Sequence, residues 1–287
     1  MKIIKKPSKS IYKIYLSYCK VKGFFHSKPD FLIIGGEKCG TTSLYEYLIK
    51  HNDILAAKGK EIAYFDYKFS NGFGWYKTFF PLFFTKKLKE FFSKHKILSG
   101  EATPRYLNHP NAPKRISHLL PNVKLIVLLR NPIDRAYSHY HMEHANGREK
   151  LSFEESIIQE KERINMEYEK MKKDENYYGR KYYWYSHCEA GIYIKHLKRW
   201  MDLFPKNQFL IIKSEDLFEN TTDTYNKVLE FLGLSHHELS NYKKFRERQY
   251  DEKLDPILRK KLSNFYQPYN EELYKFLNEN FDWEHQL

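Results

Sequence analysis

The stretch IIGGEKCGTTSLYEYL, Ile33 to Leu48, constrains the fold of this 287-residue chain more than any other. An apolar run stops at Gly35 and Gly36, Gly40 follows, and a helix-like pattern begins at Thr41. A strand that ends in a glycine turn and passes directly into a helix aims loop N–H groups and a helix N-terminus at one point in space. That arrangement suits an anion. Lys38 adds a cation there, and Thr41, Thr42 and Ser43 add three hydroxyls. The same letters also fit an ordinary glycine-rich turn whose threonines cap a helix, and this stretch alone leaves both readings open.

The rest of the chain repeats the strand–helix alternation. NVKLIVLLRNP and NQFLIIKSEDL are short, continuously apolar runs, each followed by a segment of helical spacing. TTDTYNKVLEFLGL has a capped start and Gly233 near its end. Buried strands alternating with helices predict an α/β fold, a central parallel sheet flanked by helices in three P-loop-like layers. The charged stretch from Leu151 reads as helix, GIYIKHLKRWMDLF as another, and the C-terminal segment as helices interrupted at Pro268.

One domain over residues 30–287 is the economical division, preceded by a basic arm at 1–29. The arm is broken every few residues by lysine and has neither the apolar core nor the cleavage site of a signal peptide. Its composition suits weak contact with an anionic membrane surface. The preferred reading is a poorly ordered or loosely docked tail. No stretch approaches the ~20 apolar residues of a membrane-spanning helix, and a cytoplasmic location is expected. The three cysteines, Cys19, Cys39 and Cys188, are odd in number and widely spaced, which favours a reducing compartment over a disulfide framework or a metal site.

A net charge of +13 calls for a polyanionic partner or, equally, reflects a solvated lysine-rich surface. Two absences narrow the choice. A nucleotide-hydrolysing P-loop places lysine beside its Ser/Thr and holds Mg²⁺ with a strand-end aspartate. Here Thr41 stands at the lysine position, and LIVLLR ends in Arg130. The loop is therefore read as binding anions through protein cations without a metal, which disfavours a P-loop kinase. Arg130, with Ser138 eight residues on, supplies a planar fork and a hydroxyl for a second phosphate. A nucleic-acid-binding protein is the other alternative, but the lysines are scattered and no helix-turn-helix, zinc or RNA-recognition signature appears.

At this point the chain resembles the sulfotransferases that use 3′-phosphoadenosine 5′-phosphosulfate (PAPS), and most of all the heparan sulfate N- and 3-O-sulfotransferase branch with its bacterial relatives. KCGTTSL resembles the family's 5′-phosphosulfate loop and LLRNPIDRAYSHY its 3′-phosphate strand and helix. KEIAYFD, GFGWYKTFFP, GEATPRYL, YIKHLKRWMDLFP and LEFLGL follow in the family's order. The resemblance runs from about Asp30 to the C-terminus. It implies that Lys38, Gly40, Thr41, Thr42 and Ser43 cradle the 5′-phosphosulfate, that Arg130 and Ser138 hold the 3′-phosphate, and that no metal takes part. Lys38 would also stabilise charge developing on the leaving phosphate.

By the same resemblance Glu61 of KEIAYFD is the base that takes the acceptor's proton. Lys60 beside it would orient the acceptor, and Asp66 is read as structural. RERQY, Arg246 to Tyr250, stands where the N-sulfotransferase has a cofactor-covering KGRKY, so Arg246 and Arg248 are expected to add phosphate contacts. This chain departs from that pattern at Glu247 and Gln249. His139 and His141 are read as helix-surface histidines that are candidates to face the acceptor cleft. The cleft walls are expected around Tyr64 to Trp75, Tyr106 to His109 and YYGRKYYWY, where aromatic and basic side chains suit a glycan acceptor.

Overall fold

The protein is described by a computed structural model over residues 9–239, 241–242 and 253–285. In chain order the first half holds helix α1 (Lys9–Lys22), strand β1 (Phe31–Gly35), α2 (Thr41–Leu48), β2 (Ile54–Ala56), α3 (Phe73–Lys77), α4 (Phe83–Ser93), β3 (Leu98–Ala102) and α5 (Ala112–Leu119). The second holds β4 (Lys124–Leu129), α6 (Pro132–Ala145), α7 (Phe153–Lys173), α8 (Arg180–Tyr185), α9 (Tyr193–Met201), β5 (Phe209–Lys213), α10 (Ser214–Glu219), α11 (Thr221–Leu232) and α12 (Pro256–Leu277).

The five strands form one sheet in the order β2-β3-β1-β4-β5, and every pair is parallel. Alternation along the central strands divides the core. Leu32, Ile34, Leu125 and Val127 enter one cluster with Ala136 of α6 and Trp200 of α9. Phe31, Ile33, Ile126 and Leu128 enter the other with Leu44 of α2 and Leu229 of α11. This is the three-layer α/β architecture expected from the apolar runs.

The chain leaves β1 toward β2 on one side and later returns to β4 on the other. The sheet's direction of winding therefore changes between β1 and β4, where their C-terminal ends part and open a crevice.

Two local expectations are corrected. Residues 9–25 are not a loose tail. Cys19 of α1 is buried, and the backbone approaches α3 so closely that a Cβ on Gly23 would lie 2.4 Å from the Gly74 carbonyl oxygen. Pro268 does not divide the C-terminal segment, because α12 continues through it. Burial of Leu262, Tyr266, Asn270 and Leu273 along one face offsets the hydrogen bond that proline removes.

Candidate active site

The loop after β1 carries two left-handed residues, Lys38 at φ 70° and Gly40 at φ 86°. Glycine is required at position 40 on two counts. The conformation disfavours a side chain, and a Cβ there would meet the Phe218 ring at 2.8 Å. Gly40 is also the N-cap of α2 and provides no side-chain cap. The first-turn amides of Thr41, Thr42 and Ser43 thus face the crevice end of a helix without a capping side chain, the usual condition for anion binding. Cys39, in the middle of the loop, is buried. Burial pushes its thiol up to about 11, so it is inert packing rather than a nucleophile. Ser214 donates to the Cys39 carbonyl at 2.8 Å and ties the loop to α10.

Arg130 stands just beyond β4, opposite this loop. Its guanidinium Nη1 donates to the Lys38 carbonyl at 3.3 Å, while Tyr193 Oη donates to the Arg130 carbonyl at 2.9 Å. The next residue, Asn131, caps α6 by accepting from the Ile133 amide at 3.0 Å. Ser138 lies about two turns into α6 and is buried. The two segments read from sequence as anion-binding are therefore neighbours at the ends of adjacent strands.

Glu61 and Lys60 reach the same place from the segment after β2. Glu61 adopts φ 56°, unusual for a residue with a side chain, and its amide donates to the Ala102 carbonyl at the end of β3 at 3.1 Å. Lys60 Nζ donates to Thr42 Oγ1 in the first turn of α2 and lies 3.3 Å from Glu61 Oε1. Lys38 and Glu61 thus share both the crevice and a conformation that side chains disfavour, a pattern that concentrates at functional sites.

Sequence reasoning missed two residues of this cluster, Arg105 and Glu37. Arg105 Nη2 lies 4.0 Å from Glu61 Oε2, and its Nη1 donates to Tyr178 Oη at 3.1 Å. Burial alone would lower the Arg105 pKa, but Glu37 and Asp66 outweigh it and hold the guanidinium more firmly charged than usual. Burial pushes the Glu37 carboxyl up, with Arg105 opposing and Glu61 adding to the rise. Asp66 is buried among the same charges, and desolvation raises it to about 6. Glu37 was visible inside the glycine loop and Arg105 inside GEATPRYL. What sequence does not show is that one half-buried guanidinium answers three carboxylates on two separate segments.

Other expectations are corrected. Tyr106 does not line a cleft: it is fully buried, donates to Glu101 Oε1 at 3.0 Å and accepts from the Tyr64 amide at 2.9 Å. His139 is not on the helix surface but buried. Its Nδ1 lies 2.8 Å from His187 Nδ1, and its Nε2 is 3.9 Å from Glu37 Oε2. His141 is half-buried on α6, edge-on to Tyr137 with ring centres 4.3 Å apart. Arg246 and Arg248 lie outside the described residues.

Fold and loop together define the class: an α/β protein whose glycine-rich strand–helix loop opens at the switch point of a parallel sheet. The chain belongs to the sulfotransferase family, whose sulfotransferase domain profile matches residues 28–278. It is 27% identical to the membrane-associated sulfotransferase kil1 of Dictyostelium discoideum, over 92% of this chain and 68% of that protein. It is 28% identical to heparan sulfate glucosamine 3-O-sulfotransferase 3B1 of Mus musculus, over 89% of this chain and 65% of the relative's length. Among solved structures it resembles a sulfotransferase from Alicyclobacillus acidocaldarius, with a TM-score of 0.68 and 27% identity over 90% of this chain and 100% of that one.

Proposed function

We propose that this sulfotransferase takes a sulfuryl group from PAPS and transfers it to a hydroxyl or amine of a carbohydrate, with Glu61 as the base. The observation that carries this reading is the contact between Arg130 Nη1 and the Lys38 carbonyl. It sets a strand-end cation beside a glycine loop, so that one ligand with two anionic groups can touch both. The residues present suit such a ligand: an uncapped helix start at Thr41, a cradle at Gly40 that a Cβ would fill, and no lysine at the Walker position.

In this reading Lys38 and the first turn of α2 hold the 5′-phosphosulfate, and Arg130 with Ser138 holds the 3′-phosphate. PAPS supplies the activated sulfuryl group. Glu61 accepts the proton of the attacking hydroxyl or amine as the new bond to sulfur forms. Lys38 stabilises the charge left on the departing phosphate oxygen as the old bond breaks. Lys60, between Thr42 and Glu61, keeps the base facing the sulfuryl position. The carbohydrate acceptor is supported by the heparan sulfate named for the mouse relative.

The test is a transfer assay with isotopically labelled PAPS against a panel of glycans, phenols, lipids and peptide tyrosines, read by mass spectrometry. Label appearing on a glycan supports the reading. Label only on a non-carbohydrate acceptor overturns the acceptor class, and no transfer to any acceptor despite tight binding of adenosine 3′,5′-bisphosphate overturns the reaction.

A further inference from the structure

Helix α4 is oriented inside out. A surface helix ordinarily buries its apolar stripe and exposes its charges. In α4 the buried residue is Lys86, whose ammonium sits 2.6 Å from Asp30 Oδ2. The opposite side carries Phe84, Phe91 and Phe92, exposed to 73%, 76% and 74%. Leu88 on the same side is also exposed, as is Phe83 in the first turn.

Helix α1 repeats the inversion. Leu16 and Cys19 turn toward the body of the protein, while Ile11, Ile14, Tyr15, Tyr18 and Val21 are exposed. Their spacing of i, i+3, i+4, i+7 and i+10 makes one continuous stripe. The two helices are joined at one corner. His26 pairs with Leu82 in an isolated antiparallel bridge, and the Ser27 amide donates to the Pro81 carbonyl at 2.9 Å. Phe24 and Phe25, directly after α1, thereby come beside Leu82 and Phe83 at the start of α4, and all four are exposed. Isolated exposed hydrophobic residues are ordinary, but a continuous surface of aromatic rings marks an interface.

The charge around the patch selects its occupant. Residues 9–29 contain no aspartate or glutamate and five lysines, and α4 adds Lys87 and Lys89, with Glu90, 2.6 Å from Lys87, as its one acid. A second copy of the chain placed face to face would set this lysine-rich rim against itself, since a two-fold contact joins like to like. Nucleic acid would satisfy the lysines and leave the phenylalanines in water. An anionic lipid surface satisfies both, because the rings enter the headgroup region while the lysines meet the lipid phosphates. Among the described residues no helix is long and apolar enough to cross a membrane. We propose that the joined faces of α1 and α4 are a docking surface for an anionic lipid bilayer, on which the enzyme lies peripherally. The proposal is independent of the reaction assigned above.

The test is flotation of the full chain with vesicles of phosphatidylcholine alone or mixed with phosphatidylglycerol at about seven to three. The expected result is that the mixed vesicles bind at least ~10-fold more protein, and that raising NaCl from about 0.1 to about 0.5 M reverses most of this difference. The triple variant F84S/F91S/F92S should lose ~10-fold or more of that binding, and K9Q/K13Q/K87Q should lose its salt dependence. Thermal stabilisation by adenosine 3′,5′-bisphosphate should persist in both variants, showing that they fold. No preference for the anionic vesicles, or full binding by the phenylalanine variant, overturns the proposal. Sedimentation showing a dimer that F84S/F91S/F92S dissolves, without vesicle binding, assigns the face to self-association and overturns it as well.

Discussion

Lys60 holds its ammonium 3.3 Å from the Glu61 carboxylate while also donating to Thr42 in the first turn of α2. The glutamate is thereby tied to the helix end proposed as the anion site. Replacing Glu61 with Gln keeps the shape but cannot accept a proton. Turnover with a verified acceptor should fall by ~10²–10⁴, while calorimetric affinity for adenosine 3′,5′-bisphosphate stays nearly unchanged. Near-normal turnover by the variant would show that another group takes the proton.

Arg130→Ala should weaken bisphosphate binding by ~10- to 100-fold, the range for losing a charge-assisted bond of about 1.5–3 kcal/mol. An analogue lacking the 3′-phosphate should bind wild type and variant with similar affinity. Equal losses for both ligands would mean that Arg130 acts by supporting the Lys38 loop through its carbonyl bond instead of by touching phosphate.

Binding should not depend on a divalent metal, since the loop presents Thr41 where a metal-dependent P-loop has lysine. Calorimetry with the bisphosphate should give one affinity in EDTA and in Mg²⁺. A strict Mg²⁺ requirement would contradict this account of the loop.

Much of this was legible in sequence, and the failures share a cause. β4 was legible because KLIVLL is uninterrupted and buried, and the loop between β1 and α2 because its glycines mark a turn before a helix. β3 was not, because LSGEA puts Ser99, Gly100 and Glu101 in a central strand. Gly100 is there because any Cβ would lie 2.5 Å from the Phe31 carbonyl oxygen. Glu101 is tolerated because Thr103, Tyr76 and Tyr106 donate to it at 2.6, 2.9 and 3.0 Å. Tyr106 was misplaced for the same reason: its hydroxyl answers a buried carboxylate that the strand pattern had hidden. Buried polar groups are chosen by partners distant in sequence, and no local period records them.

Asp66 gives a stability prediction with a definite sign. Its folded-state carboxyl is raised to about 6 by burial, against an ordinary value near 3.9. Its favourable contribution is therefore complete below about pH 4 and is lost as the pH rises through about 6. Asp66→Asn removes this loss and should stabilise the protein by about 1–3 kcal/mol at pH 8, with a smaller gain at pH 5. Urea unfolding at the two pH values measures the difference, and an equal effect at both would rule out the ionisation account.

His139 acts in the opposite direction. Burial, then His187 and Arg135, hold its imidazole well below the usual range. The folded protein keeps it neutral while the unfolded chain takes up a proton below about pH 6.5, so stability should fall on acidification through that value. His139→Gln should make the acid limb of the stability curve shallower. An unchanged limb would assign the acid sensitivity to other buried histidines, among them His109, His187 and His196.

Because β1 and β4 are hydrogen-bonded neighbours, the sheet itself calibrates the interval between the Lys38 loop and Arg130. Adjacent strands stand about 4.8 Å apart, and that spacing cannot stretch without breaking the ladder. Ligand choice at this crevice is thus partly a matter of measurement. On the proposed reading, the two anionic groups of the donor have to span that interval. Retuning the enzyme toward a longer or shorter donor would require moving a loop anchor along its strand, since changing charges at the rim leaves the interval untouched.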